Sequence, residues 1–134
     1  MRTLDTNVIV RLLVGDDPWQ TPIAERAFLE AIATGGVFLP DVVLAEVAWV
    51  LRGYGLDRPT RYGLLERLVR TCGVVVDDID GVIDALEHFR QEGDLADQLI
   101  LARAARAGAL PVLSFDQRFS TAEGVELLGA QARG

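Results

Sequence analysis

Apolar residues along the chain form two kinds of pattern, short continuous runs and longer stretches with helical spacing. The short runs are bounded by Gly, Pro or charged residues and predict strands at residues 2–5, 37–40, 74–76, 110–114 and 125–128. The periodic stretches predict one helix that starts at residue 7. They predict five more that cover about residues 21–33, 41–52, 58–71, 80–91 and 95–107. Short apolar strands alternating with helices predict an α/β fold with a central, mostly parallel sheet of four to five strands covered by helices.

Length, charge and cysteine content narrow the possible functions. The 134 residues suit one domain, 1–134, with a net charge of −7. All 13 positive residues are Arg, and the absence of Lys excludes a Walker-A loop and Schiff-base chemistry. One Cys and one His exclude a disulfide framework and a His-rich zinc site. Asp5 interrupts any signal peptide, and no apolar run reaches the roughly 18 residues of a membrane span, so we expect a cytoplasmic protein without membrane contact.

Two acidic residues follow predicted strands directly. Asp5 comes after the first strand, and Asp116 comes two residues after Ser114, the end of the fourth. Ligands of open parallel sheets bind at the carboxyl ends of the strands, so these positions favour chemistry. The alternatives are a helix cap at Asp5, although Asn7 is expected to serve as that cap, and an ordinary turn residue at Asp116.

Two further acidic residues lie inside predicted helices. The neighbours of Glu46 three and four positions away are all apolar, so a carboxylate on that face is costly unless a cation or donor meets it. A solvent-filled gap or an Arg from elsewhere in the chain is the alternative explanation. Asp97 lies near the start of a helix for which Asp94 is a natural N-cap, and acidic residues favour the first helical turn in any case.

The four carboxylates together are more informative than each alone. If they converge, two charges about 5 Å apart repel by roughly 3 kcal/mol at an effective dielectric constant of about 20. Such a group must protonate, meet Arg or bind a cation. Oxygen ligands without His or Cys suit Mg²⁺ or Mn²⁺, ions that activate water for phosphodiester hydrolysis.

Four short motifs also resemble those of PIN-domain nucleases, in the order of that family. They are LDTNV at residues 4–8, AEV at 45–47, DLADQLI at 94–100 and SFDQRF at 114–119. Each string is weak alone, but the ordered set covers nearly the whole chain. The small size without an added domain resembles the VapC-like toxins of toxin–antitoxin pairs.

The resemblance implies a PIN-like three-layer fold and a ribonuclease that uses Mg²⁺ or Mn²⁺, with tRNA or rRNA as the usual substrate class. It also implies a neutralising antitoxin protein and a homodimer. The residues that it implies as both catalytic and metal-binding are Asp5, Glu46, Asp97 and Asp116. Asn7 and Ser114 would donate hydrogen bonds that orient carboxylates, and Asp94 would be an additional acid. Ser114 stands where the family commonly has Thr, which keeps the hydroxyl.

Several arginines are candidates for contacts with RNA phosphates. Arg118 lies two residues after Asp116, which would place it near a bound strand. A second group surrounds the predicted helix at 58–71, and its alternative explanation is a solvated helix face. This group consists of Arg58, Arg61, Arg67 and Arg70.

Two other classes of function compete with the nuclease. The net charge of −7 is compatible with a non-catalytic interaction module of the same fold, whose acidic cluster binds a basic partner protein. A receiver or phosphatase domain also has an Asp after its first strand. Both of those families normally use a Lys, and the phosphatase pattern expects a second acid where this chain has Asn7.

Overall fold

A computed structural model describes residues 1–129, in which the chain divides into two compact units that meet between Ile79 and Asp80. Each unit contains its own parallel strands and helices. The structure confirms the predicted α/β class, and its five described strands are hydrogen-bonded as one set of three and one set of two. None of the helices within residues 1–129 combines the length and the apolar character required to cross a bilayer.

The first unit alternates strands and helices. Its elements are β1 (Arg2–Thr3), α1 (Thr6–Val14), α2 (Gln20–Ala33), β2 (Val37–Leu39), α3 (Asp41–Gly53), α4 (Arg58–Arg70) and β3 (Val74–Val76). The strands pair in the order β1-β2-β3, and all are parallel. Parallel neighbours require a crossover connection, which α1 and α2 supply between the first two strands and α3 and α4 supply between the next two.

The core of the first unit forms where the helices pack on one another and on the sheet. Helix α1 packs on α2 and α3, α3 packs on α4, and α2 and α4 contact β2 and β3 respectively. The side chains with no exposed surface include Ile9, Val37, Leu39, Leu51 and Leu65. Helix α3 therefore has a firmly buried side, which fixes the positions of the residues on its exposed side.

Gly36 allows the central strand to begin close against its neighbour. A Cβ atom at this position would lie 2.7 Å from the carbonyl oxygen of Gly73, and the φ angle is +110°. The next residue, Val37, donates its backbone N–H to that same carbonyl oxygen at 2.8 Å. A side chain at position 36 would therefore disturb the first pairing of β2 with β3.

The second unit contains α5 (Ile79–Gln91, which starts at the boundary), α6 (Leu95–Arg106), β4 (Val112–Ser114), a short 3₁₀ helix (Phe119–Thr121) and β5 (Val125–Leu127). Strands β4 and β5 are parallel, with Ser114 opposite Leu127. Residues at helical spacing on α5 are almost completely buried, namely Val82, Ala85, Leu86 and Phe89. Strand β4 begins later than the predicted residue 110 because Pro111 has no N–H to offer the ladder.

Candidate active site

Asp5 lies between β1 and α1 and is the N-cap of the helix. Its backbone is extended, and its Oδ1 accepts a hydrogen bond from the N–H of Thr6 at 2.8 Å. Its carbonyl oxygen accepts from the N–H groups of Val8 and Ile9. The prediction of Asn7 as the cap is therefore wrong, because the helix begins one residue before it and Asn7 belongs to the first turn.

Glu46 lies on the exposed side of α3, so the prediction that its carboxylate is set into an apolar face is wrong. The helix buries Val43, Val47 and Leu51, and its other side exposes large apolar residues such as Trp49 along with Glu46. The carboxylate still has a specific partner. Its Oε2 accepts a hydrogen bond from the hydroxyl of Thr6 at 2.9 Å.

Asp5 and Glu46 line one open cleft of about 280 Å³ in the first unit. The other lining residues are Thr6, Asn7, Val10, Arg11, Val50 and Tyr54. Two carboxylates thus face the same space from the start of α1 and the middle of α3. The cleft is small, open to solvent and rich in oxygen donors, which suits a hydrated cation and a phosphate better than an apolar ligand.

Arg11 lies at the edge of this cleft and is held by several polar groups. Its Nε donates to Oε1 of Gln20 at 2.7 Å, and its Nη1 donates to the hydroxyl oxygen of Tyr54 at 3.0 Å. Carboxylate oxygens of Asp16 and Asp17 lie 3.9 Å away. The hydrogen bond with Tyr54 raises the pKa of Arg11, so the guanidinium stays charged. Its charge is partly neutralised by these acids before any substrate arrives.

The acidic residues of the second unit influence one another. Burial raises the pKa of the Asp97 carboxyl above its ordinary value, and the negative charges of Asp94 and Asp116 raise it further. A favourable interaction with the start of α6 would lower this pKa instead. The ionised form of Asp97 is therefore disfavoured at its position in the first turn of α6.

Asp94 occupies the N-cap position of α6, as predicted. Within residues 1–129, however, its side chain forms no capping hydrogen bond with the helix. Its influence on Asp97 is electrostatic, through a second negative charge close by. Asp94 therefore occupies the cap position without a side-chain cap hydrogen bond, and its charge acts on Asp97.

Asp116 is held in a compact turn after β4. Its backbone N–H donates to the hydroxyl oxygen of Ser114 at 3.0 Å, and its Oδ1 accepts from the N–H of Phe119 at 3.0 Å. Ser114 accordingly acts here as an acceptor that fixes the backbone of Asp116, which differs from the predicted donation to a carboxylate. One Oδ atom of Asp116 caps the 3₁₀ helix, and the carboxylate keeps its second oxygen for another partner.

The predicted arginine group divides into different environments. Arg61 is buried and donates from Nε to the carbonyl oxygen of Leu56 at 3.1 Å, so it contributes to the packing of α4. Arg70 is exposed and pairs with Glu66 at 3.1 Å, and Arg67 is exposed and bonds to the carbonyl oxygen of Gly63. Arg118 is exposed, in the turn that follows Asp116.

Sequence reasoning missed three residues of the cleft: Thr6, Arg11 and Tyr54. Thr6 had a weak sequence signal, since this hydroxyl residue directly follows Asp5, a candidate site residue. Arg11 is the only charged residue of α1 and lies between apolar runs on both sides, which marks its charge. Tyr54 had no local signal, because its contact with Arg11 spans 43 residues of sequence.

The donor chemistry of both units fits a hard divalent cation. Carboxylate and hydroxyl oxygens are the ligands that Mg²⁺ and Mn²⁺ prefer, and Mg²⁺ is often held by only one or two carboxylates with water completing its shell. No group of three or more His, Cys, Asp or Glu residues within residues 1–129 is arranged to hold a metal ion. A metal ion bound by these acids would therefore need water or substrate oxygens to complete its coordination shell.

The ordered acids, the parallel strands and the cleft define a class of α/β protein with acidic residues at the ends of its strands. Residues 3–125 match the family model described as PIN domain. The match covers most of the chain and extends through both units, so this protein belongs to the PIN domain family, in the PIN-domain nuclease superfamily. Comparison with curated proteins and with solved structures gives no significant match to either.

Membership supports a hydrolase that acts on nucleic acid. PIN domains are generally nucleases, and PIN-domain nucleases typically use divalent metals.

Proposed function

We propose that this protein is a Mg²⁺- or Mn²⁺-dependent endoribonuclease that cleaves RNA phosphodiester bonds. The observation that carries the proposal is the PIN-domain match of residues 3–125, with Asp5 and Glu46 lining one cleft and the acids Asp94, Asp97 and Asp116 influencing one another. A site that keeps several carboxylates close together bears an electrostatic cost, and a bound divalent cation offsets it.

The residues proposed to serve the reaction are Asp5, Glu46, Asp97 and Asp116. Asp5 and Asp97 would be the firmest metal ligands. Glu46 would bind metal or hold the attacking water as a base, with Thr6 fixing one of its oxygens. Asp116 would complete the ligand set with the oxygen that does not cap the 3₁₀ helix. When bound, the metal would polarise the phosphoryl oxygens and lower the pKa of the attacking water.

The biological context proposed for the enzyme is that of a toxin in a toxin–antitoxin pair. This part rests on the four motifs and on the small size of the chain, which resemble VapC-like toxins. The proposal includes a structured RNA substrate such as tRNA or rRNA, a cognate antitoxin protein, a homodimer and a cytoplasmic location. Asn7, which lines the cleft with Asp5, would donate a hydrogen bond that orients a carboxylate.

Amide variants test the proposal with little disturbance of the fold. In Asp5→Asn, Glu46→Gln and Asp116→Asn, the side-chain oxygen that accepts a hydrogen bond in the structure is still present. Only the charge is removed. Glu126→Gln, on the exposed side of β5, is a matched control that removes a charge elsewhere.

The experiment is cleavage of total RNA by the purified protein with Mn²⁺ or Mg²⁺ and with EDTA. We expect cleavage by the wild type and by Glu126→Gln only with metal, and loss of cleavage in these three amide variants and in Asp97→Asn. Metal-dependent cleavage that survives in Asp97→Asn would overturn the assigned mechanism. Absence of both cleavage and metal binding, together with tight binding of an Arg-rich peptide, would favour the interaction module.

A further inference from the structure

Phe115 is the most exposed of the large apolar side chains described, with 78% of its surface accessible. It lies between Ser114, at the end of β4, and Asp116, one of the acids proposed to serve cleavage. Along this segment Val112 and Ser114 are half-buried, whereas Leu113 and Phe115 are exposed, which is the alternation of a strand with one covered face. The aromatic ring is therefore presented to solvent directly beside a candidate catalytic carboxylate.

The backbone that carries Phe115 is fixed on both sides. The carbonyl oxygen of Ser114 accepts from the N–H of Leu128 at 2.7 Å, and the hydroxyl oxygen of Ser114 accepts from the N–H of Asp116 at 3.0 Å. Asp116 in turn accepts from the N–H of Phe119. A ring held on a fixed backbone loses little entropy when a flat partner stacks on it.

Gly129 lies beside the ring of Phe115 and has no side chain to place against it. A Cβ atom at this position would lie 3.9 Å from the ring edge of Phe115, in ordinary contact, so a larger side chain there would begin to cover it. Arg118 is also exposed, three residues along the same turn. An exposed aromatic ring and an exposed cation thus lie three residues apart in the sequence, on either side of Asp116, a combination that suits a base and a phosphate of one nucleotide strand.

We propose that Phe115 stacks on an unpaired base next to the phosphodiester that is cleaved, and so selects single-stranded segments of RNA. This inference rests on the proposed function, because it assigns the RNA strand to the surface around Asp116. Every base has a flat π-face, so the contact discriminates paired from unpaired nucleotides more than one base from another. Bases in a duplex are already stacked on one another and have no free face to offer.

The test uses a dye-labelled 12-nucleotide single-stranded RNA of mixed sequence and the corresponding duplex. Binding is measured by fluorescence anisotropy with Ca²⁺ in place of Mg²⁺ to slow cleavage. Because base–aromatic stacking is substantial, Phe115→Ala should weaken single-strand binding about 5- to 100-fold and leave duplex binding unchanged. Phe115→Trp should bind at least as tightly as the wild type. Phe115→Leu, which is apolar without a π-face, should resemble Phe115→Ala.

Leu113→Ala is the matched control, since Leu113 is an exposed apolar residue two positions earlier on the same strand. It should bind both RNAs as the wild type does. Equal binding by Phe115→Ala and the wild type would overturn the inference, as would full binding by Phe115→Leu. A change of oligomeric state in Phe115→Ala, detected by light scattering, would instead assign the ring to a protein interface.

Cleavage of total RNA with Mn²⁺, measured in parallel, separates this inference from the proposed function. Cleavage by the wild type with no effect of Phe115→Ala on binding rejects the stacking role alone. Phe115-dependent binding without any cleavage rejects the nuclease and supports the stacking role. Failure of the wild type to bind either RNA rejects the inference directly, whatever the cleavage result.

Discussion

The hydroxyl of Thr6 donates a hydrogen bond to the Glu46 carboxylate at 2.9 Å, and the two residues are 40 positions apart in the sequence. The contact joins the first turn of α1 to the exposed side of α3. The backbone N–H of the same residue, Thr6, donates to Asp5. Thr6 therefore fixes one oxygen from each of the two carboxylates in the cleft and acts as a positioning residue for both.

Removal of the Thr6 hydroxyl should loosen the metal site. In Thr6→Val, Glu46 loses its donor while the β-branched shape is kept, and we expect Mn²⁺ affinity to fall by about 10-fold or more. Thr6→Ser keeps the hydroxyl and should retain most of the affinity. Isothermal titration calorimetry with Mn²⁺ measures both. Equal affinity of Thr6→Val and the wild type would remove Thr6 from the site.

Asp97→Asn should stabilise the protein in the absence of metal at neutral pH. The pKa of Asp97 is raised in the folded state, so that state holds the proton more tightly than the unfolded chain does. The stability of the wild type therefore falls as the pH rises from the ordinary value of 3.8 through the raised value. The amide of Asp97→Asn cannot ionise, so this variant should be more stable than the wild type at pH 7. The difference in stability should vanish at low pH.

Thermal unfolding of the two proteins at several pH values measures this difference. Addition of Mn²⁺ should reverse it, because metal bound only by the folded wild type adds about 2.7 kcal/mol at a hundredfold excess over Kd. Asp94→Asn removes a neighbouring charge and should raise the melting temperature in the same direction. A wild type that is more stable than Asp97→Asn at pH 7 without metal would contradict the electrostatic account of this position.

Arg61 should matter for stability, and an exposed arginine on the same helix should not. Arg61→Met leaves the carbonyl oxygen of Leu56 without its donor, and we expect a loss of about 1–3 kcal/mol in the free energy of unfolding. Arg70→Ala breaks only an exposed pair with Glu66 and should cost about 0–1 kcal/mol. Urea unfolding measures both. Reduced RNA binding by Arg61→Met with unchanged stability would restore it as a phosphate contact.

The sequence pattern predicted the order of strands and helices well because burial imposes a period on each element. The spaced apolar residues of α5 carry that period directly, whereas the valines at 74–76 signal a strand only as a short continuous run. The predicted ends of the helices and strands were less accurate, because each end depends on single hydrogen bonds. Asp5 rather than Asn7 is the N-cap of α1, since Thr6 and Asn7 also adopt helical geometry.

The candidate site was predictable as a set of acids and unpredictable in its contacts. The side of α3 that carries Glu46 looked buried because its neighbours are apolar, yet the structure leaves several of these apolar side chains exposed. Arg61 looked like a surface charge and is buried, because only the folded chain brings the Leu56 carbonyl to it. Contacts between distant segments, such as that of Thr6 with Glu46, have no local period to reveal them.

The central proposal is that Asp5 and Asp97 both serve the metal-dependent cleavage of RNA. The most direct measurement is the single-turnover rate of RNA cleavage with Mn²⁺ for Asp5→Asn, Asp97→Asn and the double variant. We predict that each single substitution slows cleavage by roughly 100-fold or more and that the double variant is little slower than the slower single variant. A rate loss in the double variant equal to the product of the two single losses would contradict this proposal. A wild-type rate in either single variant would also contradict it.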